Sequence, residues 1–320
     1  MVIIQKEKED YLVLSNGYKM NNIISKRIIR QILKRRPKKV HKKQLGQILV
    51  MAGSKNMSGA GLLVVKTALR AGIGLVTAAY PECLASVYRK ILLEALHLIL
   101  PQTKAGSLSV SSYARIIKVI NEVDLVASGP GLTRNKQTES LVIKLVKNID
   151  KPLVIDADGL NALADSKKVN SILKKRKGLT ILTPHTGEMS RLTGLSAKRI
   201  DKSRKSIALK YACLWQSFVI LKGYHTVIAS PKGRLVINKT GGPVLATAGT
   251  GDVLTGIIAT LVAQNLEKPF EAAVVAVYLH GLAGDLAAKK LGERSVIASD
   301  LIEYLPRALT LATKQGKLLN

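Results

Sequence analysis

From residue 46 onward, short apolar segments alternate along the chain with stretches of helical periodicity. We expect six of these segments to be strands, at residues 48–51, 75–78, 125–127, 153–155, 180–182 and 218–221. Intervening segments such as 61–71 and 138–147 have the apolar spacing of amphipathic helices. Continuous apolar strands separated by helices are typical of a mostly parallel sheet that is covered on both faces. The sequence therefore predicts an α/β fold of three layers, with the sheet between two layers of helices.

The alternation of strands and helices ends after residue 226. Segments 227–230 and 234–237, joined by Pro231-Lys232-Gly233, predict an antiparallel hairpin. From Asp252 onward the chain is predicted to be largely helical. We expect residues 1–45 to be a basic N-terminal extension that carries a helix over residues 23–33, ending before Pro37. Residues 46–320 are then expected to form one domain.

The composition restricts the partners of this chain. Fifty Lys and Arg residues against 21 Asp and Glu give a net charge of +29, which favours polyanionic partners such as nucleotides or nucleic acid. Aromatic residues are only 4% of the chain and no recognition motif is present, so we regard nucleic-acid binding as unlikely and a solvated basic surface as the simpler interpretation.

Other features of the sequence predict the cellular compartment. No uninterrupted apolar run reaches the 18 or more residues of a membrane span, and the first ten residues do not resemble a secretory leader. The two cysteines, Cys83 and Cys213, lie in apolar sequence and have no disulfide or zinc-site spacing, so we expect both to be reduced core residues. We therefore expect a cytoplasmic protein that does not bind membranes.

Polar or glycine-rich loops follow five of the six predicted strands. These loops lie at residues 52–61, 128–132, 156–161, 183–188 and 222–226. In open α/β sheets, ligands bind at the carboxyl ends of the strands, so these loops are predicted to surround one site. None of the glycine-rich loops has the spacing of a Walker A motif, so phosphate binding is expected to depend on backbone amides and on Lys222.

The segment Gly249-Thr250-Gly251-Asp252 leads directly into an apolar helix. The free N–H groups of a helix's first turn bind anions, and glycines allow a ligand to approach the backbone closely. A carboxylate beside an anion site is suited to deprotonating a hydroxyl group next to it. From this motif alone, we regard a catalytic role for Asp252 and a simple interaction with the helix dipole as equally supported.

The remaining polar residues each allow two interpretations. Asp156 and Asp158, with Asn161, could hold Mg²⁺, or could form a turn and a helix cap. His185 could contact a substrate or serve as a structural hydrogen-bonding group, and Lys222 could bind a phosphate or be solvated. Glu188 could be an ordinary acid of a first helical turn. We interpret His280, on an apolar helix, as packing support.

Taken together and in order, the motifs resemble those of the NAD(P)H-hydrate dehydratase family of the ribokinase-like superfamily. The matching segments are 53–54 with 59–60, 74–77, 129–132, 156–159, 183–185 with 187–188, 221–223 with 226, and 249–254. The resemblance covers roughly residues 25–310. It implies a ribokinase-like fold and repair of hydrated NADH and NADPH, (S)-NADHX and NADPHX, by a nucleotide-dependent dehydration. The alternative is a ribokinase-like kinase that phosphorylates a small alcohol.

The resemblance also implies roles for individual residues. Asp252 would be the catalytic base, and Ala60, Gly131, His185 and Asp252 would contact the hydrated dinucleotide. The adenine nucleotide would be bound by Lys222, Gly223, Tyr224, His225, Thr226, Gly249, Thr250 and Gly251. The co-substrate would be ADP or ATP with Mg²⁺, and the protein would be a homo-oligomer, with a tetramer favoured. Since ADP and ATP present the same diphosphate to the loop, the sequence does not decide between them.

Three small residues depart from the family's usual pattern. Thr133 and Ala248 stand where glycine is usual, and Thr186 stands where proline is usual. The epimerase domain that is often fused at the N-terminus in this family is not expected within 45 residues.

Overall fold

The computed structural model describes residues 25–314 and two short antiparallel strands, β1 (Gln5–Lys6) and β2 (Leu12–Val13). The other described strands form one sheet of nine. They are β3 (Gln47–Met51), β4 (Leu75–Pro81), β5 (Leu96–Leu100), β6 (Leu125–Ser128), β7 (Leu153–Ile155), β8 (Thr180–Leu182), β9 (Phe218–Leu221), β10 (Val227–Ala229) and β11 (Leu235–Ile237). All six predicted strands are confirmed, and β10 and β11 form the predicted hairpin.

The strand order across the sheet is β11-β10-β9-β8-β7-β6-β3-β4-β5. Strands β3 to β9 are parallel, and β10 runs antiparallel to both β9 and β11. Because β3 lies between β4 and β6, the chain leaves β3 in one direction and later crosses to the other side of it. The loops after β3 and β6 therefore diverge at the carboxyl edge of the sheet, and such a switch point is where ligands bind in this class of fold.

Thirteen α-helices lie in the described part of the chain. They are α1 (Lys26–Ile32), α2 (Ser58–Ala71), α3 (Ala85–Ile91), α4 (Tyr113–Ile120), α5 (Lys136–Asn148), α6 (Ala157–Asp165), α7 (Val169–Lys175), α8 (Thr186–Thr193), α9 (Ala197–Lys202), α10 (Arg204–Trp215), α11 (Thr250–Gln264), α12 (Pro269–Leu291) and α13 (Ala298–Lys314). The predicted helices at 61–71 and 138–147 correspond to α2 and α5, each extended by a few residues.

The helices cover both faces of the sheet. Ile48 and Val50 of β3 pack with α1–α3 and α11–α13, whereas Leu49 and Met51 pack with α4–α10. Successive strand residues point to opposite faces, so each face acquires its own apolar core. The predicted three-layer α/β/α arrangement is confirmed.

Strand β5, the edge strand next to β4, was not predicted from the sequence. Its sequence, Leu96-His-Leu-Ile-Leu100, is rich in leucine and follows further leucines at 92 and 93, so its pattern does not distinguish a strand from a helix. Leu96 is 55% exposed, because an edge strand has a neighbour on one side only. Its strand conformation depends on pairing with β4, which local sequence does not reveal.

The helix α1 falls within the predicted N-terminal extension and ends before Pro37, as expected. Ile29 and Ile32 of α1 are 5% and 4% exposed and belong to the core formed with α11–α13. This part of the extension therefore packs on the domain rather than projecting from it. Residues 23 and 24 of the predicted helix lie outside the described residues, and the domain boundary at residue 46 stays a prediction.

The two cysteines lie closer to the surface than predicted. Cys83 and Cys213 are both free, but Cys83 is exposed and Cys213 half-buried, so the expectation that they are core residues was wrong.

Helix α12 is long and apolar enough for a membrane span, with a mean hydropathy of 1.3 over its most apolar window. However, 72% of that window is buried inside the protein, as is usual for the core helix of a globular domain.

Candidate active site

A buried ion pair lies where β7 and β9 end. Lys222 Nζ is 2.6 Å from Asp156 Oδ1, and the side chains are 18% and 2% exposed. The second oxygen of Asp156, Oδ2, accepts a hydrogen bond of 2.9 Å from Thr255 Oγ1 on α11. Glu188, on α8, places Oε2 3.8 Å from the same Lys222 Nζ. Residues at the ends of two strands and on two helices thus fix the position of the lysine ammonium.

The charges of this cluster depend on one another. Burial alone would lower the pKa of Lys222, but the carboxylates of Asp156 and Glu188 outweigh it and the net shift is upward. Lys222 is therefore charged at neutral pH. Burial raises the pKa of Glu188, the charge of Lys222 opposes this, and the charge of Asp156 raises it further. Removing the lysine charge would leave two buried carboxyl groups without compensation.

The loop before α11 has the geometry of an anion site. Gly249 caps the helix with φ +85°, and a Cβ at this position would lie 2.6 Å from Leu63 Cδ1, so a residue with a side chain would be strained there. A Cβ on Gly251 would lie 3.4 Å from Lys222 Nζ. The first amides of a fifteen-residue helix and a charged lysine therefore share one small region, which suits the phosphates of a nucleotide.

Asp252 stands in the first turn of α11 and is half-buried. Burial, and next the nearby charge of Asp156, raise its pKa to about 7, although Lys222 acts in the opposite direction. A carboxyl group with a pKa near neutrality is well matched to general-base catalysis. A surface acid that only interacts with the helix dipole would not have this property.

His280 of α12 makes a hydrogen bond to the same loop. Its Nε2 lies 2.8 Å from the carbonyl oxygen of Thr250, and since a carbonyl only accepts, Nε2 carries the hydrogen. The side chain is 7% exposed, and burial lowers its pKa to about 4, so it is neutral at physiological pH. His280 was predicted from its sequence context to be packing support. The structure adds a specific hydrogen bond to the first turn of α11.

A cavity of about 680 Å³ opens beside this loop. It is lined by residues 222–226, Thr250 and Gly251 from the predicted nucleotide set, together with His185 and His280. The rest of its lining includes residues between 238 and 247, among them Asn238, Thr240 and Pro243. No role was predicted for residues 238–247 from the sequence, although the succession Gly241-Gly242-Pro243 indicates a loop.

The other predicted substrate contacts meet at the switch point of the sheet. Gly53 N, after β3, donates a 2.9 Å hydrogen bond to the carbonyl oxygen of Pro130, after β6. A Cβ on Gly131 would lie 2.8 Å from Ala60 Cβ, so these two residues are adjacent. Neither lines the 680 Å³ cavity. The predicted site residues therefore form two groups, one at the cavity beside Lys222 and one at the switch point beside Ala60.

Asp252 interacts electrostatically with residues near both groups. On the cavity side it interacts electrostatically with Asp156 and Lys222. Near Ala60 it interacts with Tyr88, whose pKa is raised by burial and then by the charges of Tyr80 and Asp252. The hydroxyl of Tyr88 donates a 2.7 Å hydrogen bond to the carbonyl oxygen of Ser58, two residues before Ala60. A group bound beside Ala60 and a phosphate bound at the loop would both be near the Asp252 carboxylate.

His185 serves as a helix cap and also lines the cavity. Its Nδ1 accepts hydrogen bonds from the amides of Gly187 and Glu188, at 3.0 and 3.3 Å, so the ring hydrogen is on Nε2. Burial, Lys222 and Arg191 lower its pKa and keep it neutral. The structural role considered for this residue is thus present, while its side chain remains 53% exposed. Its contact with the dinucleotide stays a prediction.

The two carboxylates considered as metal ligands have different partners. Asp158 accepts hydrogen bonds from Thr133 N at 2.9 Å and Asn161 Nδ2 at 3.1 Å, whereas Asp156 is bound to Lys222 and Thr255. Among residues 25–314, no group of three or more His, Cys, Asp or Glu side chains is arranged to hold a metal ion. Nucleotide-bound Mg²⁺ typically keeps several waters and needs only one or two carboxylates besides the phosphates. The geometry fits such a water-mediated ion near Asp156 better than chelation by both aspartates.

Thr133, one of the departures from the family pattern, has φ +67°. This left-handed conformation is unfavourable for a β-branched residue, and its Oγ1 is buried without a hydrogen-bond partner among the described residues. Replacing Thr133 with glycine should therefore raise the free energy of unfolding by about 1 kcal/mol, after allowing for glycine's greater entropy in the unfolded chain. Urea unfolding measures this, and a lower unfolding midpoint for the variant would show that Thr133 is not strained.

The sheet order, the two helical layers and the anion loop at the start of α11 define a ribokinase-like protein. The profile of the NAD(P)H-hydrate dehydratase family matches residues 48–307, and the chain belongs to this family.

Individual relatives agree with this placement. The chain is 46% identical over 280 residues, 88% of its length, to the bifunctional NAD(P)H-hydrate repair enzyme Nnr of Moorella thermoacetica, of which it covers 52%. It is 34% identical to the ADP-dependent (S)-NAD(P)H-hydrate dehydratase of Bacillus subtilis, covering 87% of this chain and 94% of that protein. The crystal structure of the B. subtilis ADP/ATP-dependent NAD(P)H-hydrate dehydratase, co-crystallised with ATP/Mg²⁺, superimposes with a TM-score of 0.77 at 31% identity, covering 90% of this chain and 97% of that one.

Proposed function

We propose that this protein uses ADP or ATP to dehydrate (S)-NADHX and NADPHX to NADH and NADPH, which makes it a carbon–oxygen lyase. The observation that carries the proposal is the position of Asp252. It stands in the first turn of α11 at the anion loop, it interacts electrostatically with Tyr88, which bonds the Ser58 carbonyl near Ala60, and its pKa is raised to about 7. The B. subtilis relative, which the chain covers almost completely, bears the name of this activity.

In this mechanism Asp252 accepts the proton of the hydroxyl group on the hydrated nicotinamide ring. The hydroxyl oxygen bonds to the terminal phosphorus of the nucleotide, and the bond from that phosphorus to the bridging oxygen breaks, which releases AMP from ADP or ADP from ATP. The amides at Gly249–Gly251 and the Lys222 ammonium stabilise the charge on the transferring group. The ring carbon–oxygen bond then breaks, phosphate leaves, and the neighbouring ring carbon loses a proton to give the reduced nicotinamide.

Mg²⁺ would accompany the nucleotide and neutralise part of the phosphate charge. Asp156 would hold it through water, because one of its oxygens already binds Lys222 and the other binds Thr255. These contacts keep the Asp156 carboxylate at the end of β7, facing Gly251.

The test is to incubate the protein with hydrated NADH and either ADP or ATP while following the absorbance of the reduced nicotinamide. Recovery of this absorbance that depends on the nucleotide is expected, together with release of inorganic phosphate. A stable phosphorylated product without elimination would instead indicate a small-molecule kinase. No nucleotide-dependent recovery would contradict the proposal.

The raised pKa of Asp252 predicts how the activity depends on pH. A general base acts in its deprotonated form, so kcat/KM should rise about tenfold per pH unit below pH 7 and level off above it. An acid of ordinary pKa, near 3.8, would give a flat profile over the same range. The measurement is a kcat/KM profile between pH 5 and pH 9 at saturating nucleotide, and a flat profile would count against Asp252 as the base.

The chain spans about half the length of the bifunctional relatives that it matches, so the proposal concerns the dehydration alone.

We further propose a cytoplasmic homo-oligomer, with a tetramer favoured. The free cysteines are in keeping with a reducing compartment. The exposed side chains of Val87, Ile91, Leu93 and Leu96, on and before the edge strand β5, support association between copies.

A further inference from the structure

Tyr88, on α3, is a buried tyrosine whose hydroxyl group lies at the switch point of the sheet. Its side chain is 1% exposed, and the hydroxyl donates a 2.7 Å hydrogen bond to the carbonyl oxygen of Ser58. The same oxygen lies against two glycines of the segment after β3. A Cβ would be 2.4 Å from it at Gly53 and 2.3 Å from it at Gly61. One hydroxyl group therefore contacts both ends of the segment 53–61.

The beginning of α2 has few other constraints. Its N-cap residue, Met57, makes no side-chain hydrogen bond to the helix, and the first turn contains no acidic residue. The first N–H groups of a helix have no partner within it, and a helix that begins without a cap is less stable. In the part of the chain that the structure describes, Tyr88 is the only side chain that forms a hydrogen bond with residues 57–61. The position of this turn thus depends on a residue 30 positions away in the chain.

The first turn of α2 also borders the loop after β6. A Cβ on Gly131 would lie 2.8 Å from Ala60 Cβ and 3.0 Å from the carbonyl oxygen of Met57, so the two segments are in close contact. A shift of the turn would change the spacing between Ala60 and Gly131. Holding such a contact in place before the ligand arrives lowers the entropy cost of binding.

The Tyr88 hydroxyl is not suited to transferring a proton in the reaction. Its one hydrogen is donated to the Ser58 carbonyl oxygen. Burial raises the pKa of Tyr88, and the charges of Tyr80 and Asp252 raise it further, so the hydroxyl stays neutral at physiological pH. Its contribution must therefore come from the position of the segment that it contacts.

We propose that Tyr88 is a positioning residue for the dinucleotide substrate, because its hydroxyl fixes the first turn of α2 and, with it, Ala60 at the switch point. This inference rests on the proposed function. It separates the two halves of the site: binding of hydrated NADH depends on the Tyr88 hydroxyl, whereas binding of ADP at the cavity beside Lys222 does not.

A neighbouring tyrosine provides a matched control. Tyr80, on β4, is 0% exposed, and its ring centroid is 4.5 Å from that of Tyr88. Its hydroxyl is 2.8 Å from Nδ1 of His97, on the edge strand β5, and not bonded to α2. Tyr88→Phe and Tyr80→Phe each keep the ring and remove one buried hydroxyl from the same aromatic cluster. Urea unfolding should therefore show similar losses of stability in the two variants.

The kinetic test compares these two variants of the full chain. Tyr88→Phe should raise the KM for hydrated NADH by about 3- to 12-fold, the range that one hydrogen bond produces, with kcat unchanged. A rise in KM without a change in kcat is the signature of lost substrate binding. Tyr80→Phe should leave the KM unchanged, and ADP binding measured by calorimetry should be the same in both variants. A fall in kcat without a rise in KM, or an equal rise in KM in Tyr80→Phe, would overturn the proposal.

Hydrogen exchange tests the positioning without the reaction. The Leu62 amide bonds to the Ser58 carbonyl oxygen in the helical pattern, so the amides of Leu62 and Leu63 report on the first turn of α2. Their exchange should be about 3- to 12-fold faster in Tyr88→Phe and unchanged in Tyr80→Phe. Unchanged exchange in Tyr88→Phe would overturn the proposal whatever the activity. If exchange is faster but the unsubstituted protein does not repair hydrated NADH, Tyr88 still positions the turn and the proposed function fails.

Discussion

Asp252→Asn is expected to lower turnover of hydrated NADH by about 10²- to 10⁴-fold, the usual contribution of a general base. Asparagine keeps the shape of the side chain but does not accept the proton of the ring hydroxyl. Nucleotide binding should survive, because phosphates are held by the α11 amides and Lys222 rather than by this carboxylate. Steady-state kinetics and ADP calorimetry on the same variant measure both effects. Near-normal turnover would overturn the catalytic assignment.

Asp252→Asn should stabilise the folded protein even though it lowers turnover. The pKa of Asp252 rises from 3.8 to about 7 on folding, so the folded state binds the proton more tightly than the unfolded chain between these values. Stability is therefore lost as the pH rises from about 4 to about 7. An asparagine side chain does not titrate and avoids this loss, so the variant should gain up to about 4 kcal/mol at pH 8 and much less at pH 5. Unfolding at the two pH values separates a lost base from a damaged fold.

Lys222→Met is expected to weaken ADP binding by about 10- to 100-fold, because one charged hydrogen bond to phosphate is lost. It should also destabilise the free protein by about 3–5 kcal/mol near neutral pH, since Asp156 and Glu188 would be buried without their cation. The loss of stability should shrink in mild acid, where the two carboxyl groups bind protons.

A second lysine provides the control. Lys34 Nζ is 3.6 Å from Glu267 Oε1, but these side chains are 65% and 59% exposed. Lys34→Met should therefore cost less than about 1 kcal/mol and leave ADP binding unchanged. Chemical denaturation and calorimetry compare the two variants. Equal destabilisation by both would show that burial does not set the importance of the Lys222 pair.

The strands that could be predicted are those whose own sequence has a distinct apolar pattern. Strands β3 and β6 to β9 are buried on both faces, so their apolar runs stand out between helices and glycine loops. The edge strand β5 has no such pattern, because its leucines are compatible with either structure. Likewise, the sequence shows the basic character of α1 but not that Ile29 and Ile32 are buried in the core.

The sequence predicts which loops form the candidate site but not how their side chains pair with one another. The topology brings together the loops at the carboxyl ends of parallel strands, so glycine and polar residues there indicate a site. The pairing of Lys222 with Asp156 joins residues 66 positions apart, and Thr255 reaches the same carboxylate from 99 positions away. The pKa of Asp252 depends on this arrangement and on burial. No local motif contains that information, which is why the motif alone left the role of Asp252 open.

The hydrogen bond from His280 to Thr250 bears on how the nucleotide binds. Because this histidine is neutral and fully enclosed, the bond persists across physiological pH and ties α12 to the first turn of α11 before any ligand arrives. The conformational entropy of this segment is therefore lost when the protein folds and not when the nucleotide binds. Protection of the α11 amides from hydrogen exchange should consequently be high in the free protein and change little when ADP is added.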